Sequence, residues 1–278
     1  MIFNDQSNND LAGMIFDKGF EQQYVENYMR PSKCFNNVFD EQECRELSEY
    51  MFRQTKYWRT SSTGNLFFSG NFRPLVENII YPKLKDIIPK DDIDWDIVDN
   101  VAGNFFHTPH QYGIHTDMPE QTNDFDSNTI VYRSLLIPLY LLGPKQKTPL
   151  RMIYFNERIV DSGCTLDYGP DKSVTHYRSF SDYSKIQNVY TLDGPTSIDQ
   201  TNIMSEEDFV KYGLSEAPSI KDRYNGISVE NSFEWVPGDV HTFDTAQVHS
   251  STQGDRPFVT KAGLRISLIA TRDYDKYK

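Results

Sequence analysis

The chain has 278 residues, of which 38% are hydrophobic and 14% aromatic, including 17 Tyr and 18 Phe. That is enough large apolar surface for a packed core, and it excludes a disordered chain. With 40 Asp and Glu against 28 Lys and Arg, the net charge of -12 repels a phosphate backbone, so no nucleic-acid partner is expected. The three cysteines, Cys34, Cys44 and Cys164, are widely spaced and form no Cys-x-x-Cys, which excludes a disulfide framework and a thiolate zinc site and fits a reducing compartment. The opening "MIFNDQSNNDLAGMIF" has no basic segment leading into an apolar one, and no run approaches the ~18 apolar residues of a membrane span. A cytoplasmic protein with no membrane partner is expected, and its length suits a single domain over residues 1-278.

Residues 1 to about 30, rich in Asn, Asp and Gln, read as a frayed tail. In "NNVFDEQECRELSEYMFRQ", Asp40 as N-cap with Glu43 three residues on forms a capping box, and Cys44, Leu47, Tyr50 and Met51 recur at helical spacing. "RPLVENIIYPKLKDIIP" carries a second helical stripe through Leu75, Ile79, Ile80, Leu84 and Ile87, which Pro82 should kink or split because it has no N–H to donate. The first part, to about residue 95, is therefore predicted helical. From about 96 the pattern changes to short β-rich runs, "DIVDNVAGNFFHT", "VYRSLLIPLYLL", "LRMIYFNERIV", "SFEWVPGDVHTFDT" and "LRISLIATR" among them. Mainly β with flanking α follows: a sandwich or barrel built from about 96-155 and 234-275, with the helices packed outside. The polar, Tyr- and Ser-rich stretch of about 156-233 reads as an insert or lid, within which Ser205 and Asp208 form a capping box for a short helix ending near Gly213.

"YGIHTDMP" places His115 and Asp117 two residues apart in a stretch with no helical rhythm. An imidazole and a carboxylate so spaced are able to turn toward one cation, provided a third ligand comes from elsewhere. Two histidines and one carboxylate on one face of iron leave three open positions, the arrangement of non-haem Fe(II) oxygenases. In the C-terminal part a Pro-Gly turn, a strand and a second turn lead to His249, followed by a last strand. Alternation in that strand puts Leu264, Ile266, Leu268 and Ala270 on one face and Arg265 with Ser267 on the other. A guanidinium beside a hydroxyl is a receptor for a carboxylate.

With His-x-Asp, a distal His and Arg-x-Ser on a final strand, residues from about 98 to 272 resemble the Fe(II)/2-oxoglutarate-dependent oxygenase superfamily, in its prolyl-hydroxylase-like or a related branch. The resemblance implies a double-stranded β-helix, the cupin-like jelly roll, with His115, Asp117 and His249 binding Fe(II) and performing the catalysis. It implies Arg265 and Ser267 on the distal carboxylate of the co-substrate 2-oxoglutarate, O2 as oxidant, and Tyr140, seven positions after Arg133, as a pocket residue. Because Asp117 is present where halogenases of the superfamily carry a small residue, hydroxylation of a small molecule or an amino-acid or peptide side chain is the implied reaction. The intervals from Asp117 to His249 and from His249 to Arg265 are longer than is common, and Lys261 stands between the latter two as a rival carboxylate binder.

Other polar residues have competing readings. Asn104 has an amide able to donate to 2-oxoglutarate or to satisfy a turn. His241 shares parity with Phe243 and precedes the "FDTAQ" turn, which suits a structural or pocket-lining side chain. His107 and His110 have no helix or intervening Glu for zincin chemistry, and His176 has no evident partner. No Gly-x-Ser-x-Gly or P-loop occurs, so hydrolase and NTPase readings have no support. The alternative class is a cupin-like metal-binding or structural jelly-roll module without 2-oxoglutarate turnover.

Overall fold

A computed structural model describes residues 25, 28–53, 58–60, 66–68, 73–109, 113–117, 129–160, 189–214, 222–252 and 259–271. Most of the expected frayed tail, His110, His176, and residues 161–188 and 215–221 of the expected insert lie outside the described residues.

The local signals in the sequence have clear structural counterparts. Helix α1 (Glu41–Arg53) opens on the capping box: Glu43 N–H donates to the Asp40 carboxylate at 2.8 Å, and Asp40 N–H donates to the Glu43 carboxylate at 2.8 Å. It buries Cys44, Leu47, Ser48 and Met51, while Tyr50 stays exposed. The second helix, α2, runs through three segments, Arg73–Leu75, Val76–Ile80 and Tyr81–Leu84, the middle one a π turn in which Tyr81 N–H reaches back to Val76 O. This is how the chain accommodates Pro82, which has no N–H for the i-4 carbonyl. The extra residue in the wide turn slides the buried stripe, so that Val76, Ile80, Leu84 and Ile88 are inside and Ile79 and Ile87 outside. Helix α3 (Glu206–Tyr212) starts at Ser205, which accepts from Asp208 N–H, and ends at Gly213 in the left-handed region at φ 65°.

Twelve described strands form two antiparallel sheets. They are β1 (Lys33–Phe35), β2 (Trp58–Thr60), β3 (Leu66–Phe68), β4 (Val98–Thr108), β5 (Thr129–Leu142), β6 (Arg151–Ile159), β7 (Val189–Thr191), β8 (Gly194–Thr196), β9 (Val229–Glu234), β10 (Val240–Asp244), β11 (Gln247–Ser251) and β12 (Thr260–Thr271). The first sheet has the order β1-β10-β5-β12-β4-β3-β2; the second has β11-β6-β7-β8, with β9 also on β6 and with His115 bridging to His249 of β11. At the centre, β4-β12-β5-β10 faces the row formed by the His115 segment, β11, β6 and β9. Along these eight central segments the chain changes sheet at six of seven steps, staying in the second sheet only from β6 to β9, which is the winding of a double-stranded β-helix, or jelly roll. The first third of the chain, expected to be helical, also contributes β1, β2 and β3 to the edges of the first sheet. These are three-residue strands, too short for alternation to show in sequence.

The sheets define three apolar layers. Leu264, Ile266, Leu268 and Ala270 of β12 pack with Phe105, Leu135 and Ile137 against Leu47, Met51, Ile80 and Leu84 of the helices. Between the sheets lie Phe106, Leu136, Met152, Tyr154, Trp235 and Phe243. The outer side of the second sheet buries Ile153, Phe155 and Val248 under Phe209 of α3 and Tyr224. Gly103 of β4 faces Ile266 of β12 where a Cβ would collide with the Arg265 carbonyl, so close approach of these two strands requires glycine there.

One end of the barrel is closed by ions. Asp244, fully buried at the end of β10, accepts from Arg133 Nη1 of β5 at 2.6 Å, from Arg158 Nε of β6 at 2.9 Å and from the backbone N–H of Arg30 at 3.0 Å. Arg133 also pairs with buried Asp92, and Arg158 pairs with Glu230 of β9 at 2.6 Å. The cluster therefore ties both sheets to the chain before β1. Replacing Asp244 with Asn should destabilise the protein by about 1.5–3 kcal/mol, because the two buried guanidiniums lose their shared carboxylate and each keeps a single one, Asp92 or Glu230. Urea unfolding would measure this, and a loss below about 1 kcal/mol would show that the cluster does not hold the sheets.

Candidate metal centre

The centre is built on strand pairing. His115 N–H donates to His249 O and His249 N–H to His115 O, both at 2.9 Å, and Asp117 N–H donates to Thr245 O at 3.0 Å. The His-x-Asp segment thus lies antiparallel along residues 245–249. Directly paired residues present side chains on the same face, and a spacing of two returns to that face, so His115, Asp117 and His249 converge. The imidazole centroids are 4.2 Å apart. Asp117 Oδ1 lies 3.9 Å from His115 Nε2 and 3.8 Å from His249 Nε2, and one ligand atom from each residue falls within 4.8 Å of the other two.

Each ring is held by the backbone two residues earlier. His115 Nδ1 is 2.8 Å from Gly113 O, and His249 Nδ1 is 2.8 Å from Gln247 O. A carbonyl only accepts, so both Nδ1 atoms carry the proton in neutral rings, and both Nε2 lone pairs face the carboxylate. A carbonyl on Nδ1 fixes the tautomer and the ring orientation that leave Nε2 free to bind a metal. Phe243 packs on the His249 ring at 4.8 Å and Tyr154 lies 6.1 Å from it. Burial, foremost, and the neighbouring His115 push His249 down to about 3, which keeps its lone pair available.

Asp117 is buried, and its Oδ2 has no hydrogen-bond partner. Its Oδ1 accepts from Arg265 Nη1. Burial pushes this carboxyl up, but the Arg265 guanidinium holds it below its usual range, so it is ionised. A buried ionised oxygen without a donor is expensive, and a cation satisfies it. The donor set, two neutral nitrogens and one carboxylate, suits a divalent transition metal, whose cis ligands sit about 3 Å apart; small side-chain rotations close the observed gaps.

The remaining predicted site residues fall into two groups. Arg265 pairs in register with Asn104 of β4 and Leu136 of β5, and Ser267 lies two residues on, all on the face turned to the second sheet. Arg265 Nε and Ser267 Oγ are both buried without a hydrogen-bond partner. Lys261, on the same face, is buried, donates to Ser251 Oγ and lies over the Trp235 ring; burial pushes it down to about 7. Tyr140 is not brought to this group. A register shift between Ala262 and Gly263 pairs Tyr140 with Ala262, so its ring joins the layer against the helices, 6.0 Å from His107. A bulge of this kind reverses the face of every residue beyond it.

Sequence reading did not find the partners of His241. This residue is fully buried, its Nδ1 is 3.1 Å from Tyr154 OH and its Nε2 has no partner. Its parity with Phe243 marks it as inward-facing, but Tyr154 comes from the other sheet and no local pattern links the two. Burial pushes His241 down to about 3.

No family profile and no curated protein matches the sequence. Among solved structures, the chain is similar to a prolyl-4-hydroxylase of Pseudomonas putida, with 11% identity over 95% of this chain and 99% of that one, at a TM-score of 0.43. It is also similar to the epimerase SnoN in complex with Fe3+, alpha-ketoglutarate and nogalamycin RO, with 9% identity over 92% and 88% of the two chains and a TM-score of 0.43. For EvdO2 of Micromonospora carbonacea var. aurantiaca complexed with 2-oxoglutarate, the values are 13%, 92%, 95% and 0.41. Among the described residues no helix is long and apolar enough to cross a membrane.

Two buried histidines with lowered values make the metal-free protein acid-sensitive. Between the ordinary histidine value of 6.5 and the folded value near 3, the unfolded chain binds these protons and the folded chain does not, so stability falls as pH falls through that window. Each contributes a slope of about 1.4 kcal/mol per pH unit. His241→Phe should remove one proton's share of that slope in urea titrations between pH 6.5 and 4; an unchanged slope would mean that His241 is protonated in the fold.

Proposed function

We propose that the protein is a non-haem Fe(II)/2-oxoglutarate-dependent oxygenase that hydroxylates a small molecule or an amino-acid or peptide side chain. The observation that carries this reading is the convergence of two Nε2 atoms on one buried carboxylate, whose second oxygen has no donor, next to a cationic strand face. Iron(II) held by His115, Asp117 and His249 would, with 2-oxoglutarate and O2, supply oxidation of an unactivated C–H bond with release of succinate and CO2.

The chain's own contribution is positioning and exclusion of water. Gly113 O and Gln247 O fix the two rings, while Phe243 and Tyr154 wall off His249. Phe106, Leu136, Met152 and Trp235 make the space between the sheets apolar, where a charged contact is stronger than in water. Into that space Arg265 and Ser267 present an unfilled Nε and Oγ, a receptor for a carboxylate, with Asn104 in register beside them. Lys261 is a second candidate anchor, because its buried amine lies four residues along the same face as Arg265, on Ser251 Oγ and over the Trp235 ring.

Replacing His115 or His249 with Ala should abolish Fe(II)-dependent succinate release while circular dichroism shows the fold retained; full activity in either variant would remove the metal assignment. Arg265→Ala should weaken 2-oxoglutarate binding by about 1.5–3 kcal/mol, roughly 10- to 150-fold in Kd. If only Lys261→Ala has that effect, the lysine is the anchor. Anaerobic addition of Fe(II) and 2-oxoglutarate should give a weak visible charge-transfer band, and tight binding of another metal without it would favour the cupin-like alternative.

A further inference from the structure

The helix-covered face of the first sheet carries a cavity of about 230 Å³ between β4 and α2, on the side turned away from the candidate metal centre. The π turn of α2 borders it: Val76 and Tyr81, which the turn's hydrogen bond joins, both line the cavity, and single π turns within helices are frequent at functional sites. Tyr81 and Trp95 form a corner, with ring centroids 5.1 Å apart and planes at 59°. Trp95 opens the one-turn 3-10 helix Trp95–Ile97, whose N-cap Asp94 accepts from Asp96 N–H at 3.1 Å. Its indole Nε1 is buried and has no hydrogen-bond partner, and such a donor is costly until an oxygen reaches it. Arg73, Glu77 and Asp99 supply the charge. Arg73 Nε donates to Glu77 at 2.6 Å, so one guanidinium stands with two carboxylates and the balance is negative, in a chain that carries -12 overall.

We propose that this cavity binds a small quaternary ammonium ion that also carries an oxygen acceptor, the chemistry of choline and the betaines. A methylated ammonium needs no hydrogen-bond acceptor; aromatic faces and a nearby negative charge hold it, and Trp and Tyr are the rings best suited. A primary ammonium asks for three acceptors, whereas Glu77 is already engaged by Arg73 and the remaining walls, Val76, Val98 and Val101, offer methyl groups. The ligand's oxygen answers the open Trp95 Nε1. Two carboxylates at the walls oppose an anion, and the volume, below the ~300–1,000 Å³ of pockets for drug-sized ligands, restricts the occupant to a small molecule. The site is independent of the reading of His115, Asp117 and His249 as metal ligands.

The test titrates choline into the full chain, followed by calorimetry and by the indole N–H resonances in NMR. The resonance of Trp95, identified by its loss in Trp95→Phe, should shift on adding choline. Tyr81→Leu and Asp99→Asn, both at exposed positions and therefore safe for folding, should each weaken choline binding about tenfold. The neutral analogue 3,3-dimethylbutan-1-ol should bind about tenfold more weakly than choline, and ethanolamine likewise. Choline binding should be the same in His115→Ala, which separates this cavity from the candidate metal centre. No binding of choline up to about 10 mM would overturn the proposal, as would equal binding of the neutral alcohol, a Trp95 shift produced by inorganic phosphate in place of choline, or full binding in both Tyr81→Leu and Asp99→Asn. Choline binding lost in His115→Ala would place the ligand at the other centre and overturn it too.

Discussion

Asp244 and its two guanidiniums set the condition on which the barrel depends. Carboxylate and arginines are all withdrawn from water, and each comes from a different strand: β10, β5 and β6. Such groups tolerate burial only together, so the pairing fixes where the two sheets meet. The next residue, Thr245, offers its carbonyl to Asp117 N–H, and its hydroxyl lies 3.2 Å from Ser134 Oγ. Packing at the closed end of the barrel is thus transmitted in one step to the backbone of the candidate metal centre.

The centre repeats this logic on a smaller scale. Polar groups there are satisfied by main-chain atoms wherever orientation matters: one carbonyl for each histidine, one for the Asp117 amide. Main-chain partners do not rotate, so the ligand geometry is set by the strand register and not by rotamer choice. Among the buried polar atoms without a hydrogen-bond partner, Asp117 Oδ2, Arg265 Nε and Ser267 Oγ lie together at this centre and on the β12 face beside it. Unsatisfied atoms gathered in one place mark where something else is to be received.

The legible part of the sequence was the part with short-range causes. Capping boxes at Asp40 and Ser205 work within one helical turn, and alternation in β12 separates Arg265 and Ser267 from the apolar face whatever lies around them. The His-x-Asp spacing is legible for the same reason, because two residues is the period of a strand. Tyr140 shows where this stops. Its seven-residue offset from Arg133 says nothing of the register shift opposite Ala262 that turns it away. The edge strands β1 to β3, the Tyr154–His241 contact and the Asp244 cluster all depend on which distant segments meet, and that is decided by the assembled sheets.

The place of β12 in the first sheet bears on how the molecule comes into being. This is the last of the described strands in the chain, yet it lies in the middle of its sheet, hydrogen-bonded to β5 on one side and β4 on the other. Until it arrives, β4 and β5 have an open slot between them and the helices have no complete surface to cover. Such non-local pairing is slow and leaves strand edges exposed on the way. During synthesis on the ribosome the barrel therefore stays open until β12 has been made, with the histidines already made but not yet assembled into a centre.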